Sequence, residues 1–396
     1  MTAMEKKDKT LNVPNLRFPE FSGEWEKELL GTTCNVLMCK RILASQTNAE
    51  CGVPFYKIGT IGGIPDAYIS KELFESYRAK YNYPRKGEVM ITCAGTVGKA
   101  MIFDGEDSYY QDSNIVWIDN PTNKIDNTFL YHFISKVDWS KLNTTTIVRI
   151  YNDDLRQLRI SYPTLSEQRK ISIFLNLLNQ RIETQKKIIE KYESLIRGLI
   201  TDVNKGKTCK CKAVALRDVL IEVHEKNVEN HEVCSVSVRQ GVINQIDYLG
   251  RSFAAKEVLH YNVVNYGDIV YTKSPTGEFP YGIVKRSNLD RPVAVSPLYG
   301  VYRPVNDYVG IYLHLYFKSP VNTKNYLHRL IQKGAKNTIN ITNQHFLDNE
   351  ILIPENGWLE IIVNAASTIE KMIHIECNAL LCLEKQKNYL LSKMFI

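Results

Sequence analysis

No stretch of this 396-residue chain approaches 18 consecutive apolar residues. The opening Met-Thr-Ala-Met-Glu-Lys-Lys-Asp-Lys has no apolar core either, so neither membrane spanning nor secretion is expected. Cysteine occurs nine times, an odd number without paired Cys-x-x-Cys spacing, as reduced thiols of a cytoplasmic protein would. Cys209-x-Cys211 lies in a lysine-rich stretch, and His374, Cys377 and Cys382 fall within one helical segment, offering only a partial ligand set. No metal is expected.

Catalytic signatures are missing as well. A Walker A loop needs G-x-x-x-x-G-K-[ST], but Lys99 is followed by Ala100 and the glycine spacing is wrong. Methyl transfer to a base would need a cofactor loop and an Asn/Asp/Ser-Pro-Pro-aromatic motif, of which Ser274-Pro275-Thr276 is a partial echo. Pro65-Asp66 has no matching downstream carboxylate and lysine pair, and no Ser/His/Asp set stands out. The chain reads as non-catalytic.

What is there describes a folded protein of two main domains: 44% hydrophobic and 23% charged residues, too long for one ordinary core. The net charge of +7 is compatible with a nucleic-acid partner, and the 23 tyrosines suit binding faces or β-rich cores.

The chain also repeats itself. Ile150 to Pro163 aligns with Ile341 to Pro354 at an offset of 191, matching Ile150/Ile341, Asn152/Asn343, Leu155/Phe346, Ile160/Ile351 and Pro163/Pro354. The helices that follow keep the offset. Ile171, Leu175, Leu178, Ile182, Ile189, Tyr192 and Leu199 form a three-four stripe, and Ile362, Ala366, Ile369, Ile373, Leu380, Leu383 and Leu390 form its counterpart. Such a stripe over about four heptads is a coiled-coil seam. Gln185 and Glu376, again 191 apart, interrupt it; they are either register-setting polar residues or a leak in the seam.

Thr164-x-x-Glu167 has the pattern of a capping box and marks the start of the first long helix, which runs to about Ile200. Thr201 to Lys212 reads as an exposed linker. Val89 to Cys93, Ile115 to Ile118, Cys234 to Val238, Asp268 to Thr272 and Tyr299 to Tyr302 read as strands, and Lys71 to Lys80 and Thr128 to Lys136 as helices. Two glycine-flanked segments, Lys86 to Lys99 and Tyr266 to Gly277, each combine a glycine turn, a strand and a small-residue loop with a lysine close by. Such a loop is either a phosphate-approaching backbone or a β-hairpin with a tight turn.

Together these features resemble the specificity subunit of a type I restriction–modification system. The resemblance rests on Pro14-Asn-Leu-Arg-Phe-Pro-Glu-Phe21 with Trp25, on the Gly87-to-Lys99 loop, and on Asp154-Leu155 and Ile160-x-x-Pro163 running into Ser166-Glu-Gln-Arg-Lys-Ile171. The second half departs from it, with Glu355-Asn-Gly-Trp358 in place of the Glu-Gln-Arg-Lys cluster and Ser274-Pro-Thr-Gly277 in place of Gly-Thr-Val-Gly.

The resemblance implies an α+β chain of two mixed α/β target-recognition domains of similar fold, joined by two long helices forming an intramolecular antiparallel coiled coil. The expected boundaries are 1–163 and 205–355 for the recognition domains, and 164–204 and 356–396 for the helices. It implies a bipartite double-stranded DNA target and two methyltransferase subunits, which carry S-adenosylmethionine, with ATP-driven restriction subunits completing the assembly and no cofactor bound to the present chain. Candidate DNA contacts are Lys57, Thr96, Lys99 and Arg149 in the first domain, and Arg239, Lys273, Thr276, Lys333 and Lys336 in the second. Arg169, Lys170 and Lys187 are candidates for the methyltransferase interface; each of these side chains could equally be a solvated surface group. The rival readings are a coiled-coil protein-interaction scaffold without DNA specificity and a small-ligand enzyme.

Overall fold

The computed structural model describes residues 12–142, 149–250, 257–333, 339–355 and 357–396. They divide into two compact units, Met1–Lys186 with Ala379–Ile396, and Lys187–Asn378.

The first unit holds β1 (Glu26–Leu29), α1 (Leu30–Thr33), β2 (Asn35–Met38), β3 (Val53–Tyr56), β4 (Tyr68–Ile69), α2 (Lys71–Lys80), β5 (Val89–Thr92), β6 (Ala100–Ile102), β7 (Tyr109–Tyr110), β8 (Ile115–Asp119), α3 (Asn127–Lys136), α4 (Asn152–Arg156), β9 (Arg159–Tyr162) and the start of α5 (Leu165–Asn204). Its main sheet is antiparallel, in the order β2-β8-β5-β6. β5 and β8 read as unbroken apolar runs because both their faces are covered. Val89, Ile91, Val116 and Ile118 enter one core with α3, while Met90, Ile115 and Trp117 enter another with Phe74 and Tyr109. β1 pairs with β9, placing Glu28 opposite Ile160. α3 begins where the Asp126 carboxylate accepts the backbone N–H groups of Thr128 and Phe129, both at 3.0 Å.

The second unit holds β10 (Cys211–Ala215), β11 (Leu220–Glu222), β12 (Cys234–Ser237), β13 (Gly241–Asn244), α6 (Gln245–Leu249), β14 (Asn262–Val264), β15 (Ile269–Thr272), β16 (Ile283–Arg286), β17 (Val293–Val295), β18 (Gly300–Pro304), α7 (Asp307–Phe317), α8 (Pro320–His328), β19 (Gln332–Lys333), β20 (Ile339–Asn340), β21 (Glu350–Pro354) and most of α9 (Trp358–Met394). Its main sheet repeats the first, antiparallel in the order β11-β18-β15-β16, and β10 pairs with β21 as β1 does with β9. The repeated residues are core residues: Ile150, Leu155 and Ile160, like Ile341, Phe346 and Ile351, are each at most 3% exposed. Both glycine turns are built alike. Gly87 and Gly267 have φ of 91° and 88°, and the buried carboxylates of Glu88 and Asp268 accept the N–H three residues back, from Arg85 and Asn265.

The Glu-Gln pair at the start of α5 fastens the helix to its unit. The two Glu167 oxygens accept from Arg17 Nε and Nη2, both at 2.7 Å, with Glu167 1% exposed. Gln168 is fully buried; its amide donates to the carbonyls of Pro163 and Lys124 and accepts from the Asp126 N–H at 2.7 Å. The capping box expected from Thr164-x-x-Glu167 therefore gives way to an ion pair, because a bidentate guanidinium takes up the Glu167 carboxylate. Lys170 lies over the Phe18 ring at 4.8 Å and pairs with Glu20, so the segment from Pro14 to Phe21 lies along the helix start.

In the first unit, Ile171 and Leu175 of α5 share a core with Leu390, Leu391 and Met394 of α9. In the second, Ile196, Ile200 and Val203 share one with Ile362, Val363 and Ala366. In each unit the start of one helix meets the end of the other, so the two pack antiparallel within one chain. Of the expected seam, Ile171, Leu175, Ile182, Ile362, Ala366, Leu383 and Leu390 are buried. Leu178, Ile189, Tyr192, Leu199, Ile369, Ile373 and Leu380 are half-buried, as are Gln185 and Glu376. The segment expected to be a linker from Thr201 to Lys212 is shorter. The helix continues to Asn204 because Val203 is buried, and β10 begins at Cys211. Among the described residues the cysteines are free thiols, and no His/Cys/Asp/Glu cluster could hold a metal ion.

Candidate nucleic-acid interface

The β5–β6 hairpin carries the strongest local motif of the sequence. Thr92 closes its turn: the Thr92 N–H donates to the Lys99 carbonyl, the Lys99 N–H to Thr92 Oγ1, and the Gly98 N–H to the Thr92 carbonyl, at 2.8–3.0 Å. Gly95 and Gly98 adopt φ of 67° and 81°. A Cβ on Gly98 would stand 2.0 Å from the Trp139 ring. The glycines therefore serve a tight turn against an aromatic ring, the hairpin alternative of the two considered.

Around this turn the four first-domain candidates gather. Thr96 is exposed at the tip. The Lys99 ammonium reaches back to the Ile61 carbonyl at 2.6 Å. Lys57 opens the loop that ends at Ile61 and pairs with Asp66 at 3.0 Å, both side chains about half exposed. The Ile150 N–H donates to the Cys93 carbonyl and the Cys93 N–H to that of Asn114, so Arg149 lies beside the hairpin. Its guanidinium meets Ser113 Oγ at 3.3 Å and the Tyr151 ring at 5.8 Å. Two further side chains join this surface that spacing along the chain did not reveal. Arg41 binds Asp112 at 2.5 Å across 71 residues, and Tyr151 is 59% exposed.

The second-domain candidates separate. Lys273 and Thr276 share the β15–β16 loop, where Thr276 and Phe279 exchange backbone hydrogen bonds at 3.1 and 2.8 Å. Partial burial lowers the Lys273 pKa, opposed by Glu222. Arg239 stands elsewhere, in the turn after β12, near Arg286. Arg286 pairs with Ile269, at the end of the hairpin away from its loop. Lys333 ends β19, and Lys336 lies outside the described residues.

On the helices, Arg169, Lys170 and Lys187 are exposed. So are apolar residues on both. Ile173 and Leu177, four apart on α5, are 62% and 59% exposed, and Ile361 and Ile375 on α9 are 57% and 64%. No helix among the described residues is long and apolar enough to cross a membrane.

The chain is similar to known proteins in sequence and in fold. The family model described as the type I restriction modification DNA specificity domain matches residues 22–194. A Haemophilus influenzae protein named as a type I restriction enzyme specificity subunit, S.HindORF215P, is 52% identical over 147 residues, which cover 37% of this chain and 38% of that protein. The fold is that of the type I restriction–modification S subunit from M. genitalium, with a TM-score of 0.58 at 12% identity over 97% of this chain and 99% of that one. A structure described by complex assembly and conformational transition of the type I system gives a TM-score of 0.51 at 14% identity, over 93% and 97%. In sequence, residues 22–194 resemble type I restriction–modification DNA specificity domains, and the fold resembles that of type I S subunits.

Proposed function

We propose that the chain is the non-catalytic, sequence-specific DNA-binding subunit of a type I restriction–modification complex. Residues 1–163 and 205–355 would each read one half of a bipartite double-stranded target, and the helices 164–204 and 356–396 would set the interval between the halves. The observation that carries this reading is the duplicated sheet, β2-β8-β5-β6 and β11-β18-β15-β16, with a hairpin at the same place in each copy. Phosphate contacts fix orientation and base-edge contacts select sequence, so two readers in one chain specify two half-sites together. Lys57, Thr96, Lys99 and Arg149 would serve one half-site, Lys273 and Thr276 the other. The exposed apolar positions on α5 and α9 support docking of two methyltransferase subunits, to which restriction subunits add. The complex would act in the cytoplasm, where its DNA lies.

Co-expression with a partner methyltransferase subunit, followed by genome-wide mapping of methylated adenines, tests this. A split recognition sequence is the expected result. Sedimentation of the free chain as a monomer accords with helices that close within one molecule; obligate dimers with no methylated motif would favour the interaction-scaffold reading. Inserting one heptad between Ile182 and Ile189, and another between Ile373 and Leu380, adds about 10 Å at 1.5 Å per residue. The unread spacer should lengthen or binding should fail; an unchanged spacer would refute the ruler.

A further inference from the structure

All four residues of β16 are buried, and two of them are cations: Lys285 and Arg286 are each 4% exposed. A charge withdrawn from water costs several kcal/mol unless it is matched. Arg286 is matched. It donates to Asp307 at 2.7 Å and to Asn288 at 2.6 Å, and lies 4.6 Å from the Tyr266 ring. Lys285 has no hydrogen-bond or ion-pair partner among the described residues. It lines a cavity of about 360 Å³ beneath the β12–β13 turn, together with Arg239, Asn288, His314, Lys318 and Glu370. A neighbouring hollow of about 570 Å³ shares Arg286, Asn288, His314 and Glu370.

The charges in this cavity do not cancel. Glu370, the carboxylate on the wall, is taken by Lys318 at 3.3 Å. Burial holds His314 neutral, and its Nδ1 accepts the Arg286 N–H at 3.4 Å. Two cations remain unmatched, Lys285 at the floor and exposed Arg239 at the rim. A phosphate, free or in a diester, presents two or more acceptor oxygens and can take donors from two cations at once, whereas chloride is a single centre. We propose that this cavity is a binding site for a phosphate group, held between Lys285 and Arg239 with the Asn288 amide available as a further donor. The group could be a free phosphate or a phosphate of a DNA backbone. The site stands apart from the hairpin loop of Lys273 and Thr276, and the proposal does not depend on the target-reading role given above.

The test uses the full chain and inorganic phosphate as the probe, titrated against chloride at constant ionic strength while the melting temperature is followed. A ligand that binds only the folded state raises it saturably. The wild type should show this rise, and Lys285→Met and Arg239→Gln should each weaken the apparent affinity by about tenfold, the loss of one charged contact. Lys324→Gln, on an exposed lysine of α8, should leave it unchanged. Arg239→Gln, at the exposed rim, keeps the test open if Lys285→Met does not fold. No saturable rise over chloride, or wild-type affinity in both cavity variants, would overturn the proposal. If a duplex of mixed sequence displaces phosphate and Arg239→Gln weakens that duplex, the source is DNA; phosphate binding without competition assigns a free phosphate.

Discussion

Three glycines of the first unit differ in what surrounds them, and Ala substitution at each separates backbone strain from steric overlap. Gly87, Gly95 and Gly98 all have positive φ, at 91°, 67° and 81°. A Cβ in a left-handed conformation costs about 1–2 kcal/mol. At Gly87 nothing lies within 4 Å, so strain is the whole penalty, partly offset by the stiffer unfolded chain. At Gly95 the new atom meets the Ile58 Cδ1 tip at 2.7 Å, the far end of a side chain that can turn away. At Gly98 it meets the Trp139 ring at 2.0, 2.5 and 2.8 Å, and Trp139 is 7% exposed. The ring must retreat by more than an ångström into a packed core, adding about 1–3 kcal/mol. Gly98→Ala should therefore lose about 2–5 kcal/mol, or roughly 5–15 °C in a unit of about 200 residues. Gly87→Ala should lose about 1 kcal/mol and Gly95→Ala an intermediate amount. Denaturation followed by tryptophan fluorescence reads this unit, since it holds Trp25, Trp117 and Trp139 while only Trp358 lies in the other. If Gly98→Ala is no more damaging than Gly87→Ala, the glycine does not serve the packing of Trp139.

Arg17→Ala leaves the buried Glu167 carboxylate unpaired and should cost about 2–4 kcal/mol, discounted for the partial exposure of Arg17. Adding Glu167→Gln should recover part of the loss in a double-mutant cycle, and full additivity would count against the pair. His132, held at about pKa 4 by burial and bonded to Asn176 at 3.0 Å, is a second target. Its folded pKa lies below the unfolded one, so unfolding takes up a proton and stability falls as pH drops from 6.5 towards 4, by up to about 3 kcal/mol. His132→Gln should flatten that part of the pH profile; an unchanged slope would assign it to other groups. Changing Gln185 and Glu376 together to Leu should raise the melting temperature if the two half-buried polar residues hold register at a cost in stability, and no gain would dismiss that account.

What could be read from the chain alone was whatever repeats over short distances. The 191-residue offset, the helix from Lys71 to Lys80 and the strand candidates all appear where expected, because core positions impose their period on neighbouring residues. The pairing of Arg17 with Glu167 spans 150 residues, and Trp139 meets Gly98 across 41; no local pattern announces either. For the same reason Lys57, Thr96, Lys99 and Arg149 could be named from loop composition, but neither their meeting at one hairpin nor the separation of Arg239 from Lys273 and Thr276 was legible in the chain.

Sequence by itself determined the duplicated plan, the long amphipathic helices and the likeness to type I specificity subunits, since hydrophobic period and motif spacing are local properties. Tertiary structure alone decided which charges are satisfied. Whether Glu167 caps a helix or pairs with Arg17, and whether Lys285 lies on the open surface or at the floor of a cavity, depends on distant residues brought together by the fold, and burial then sets what each charge costs.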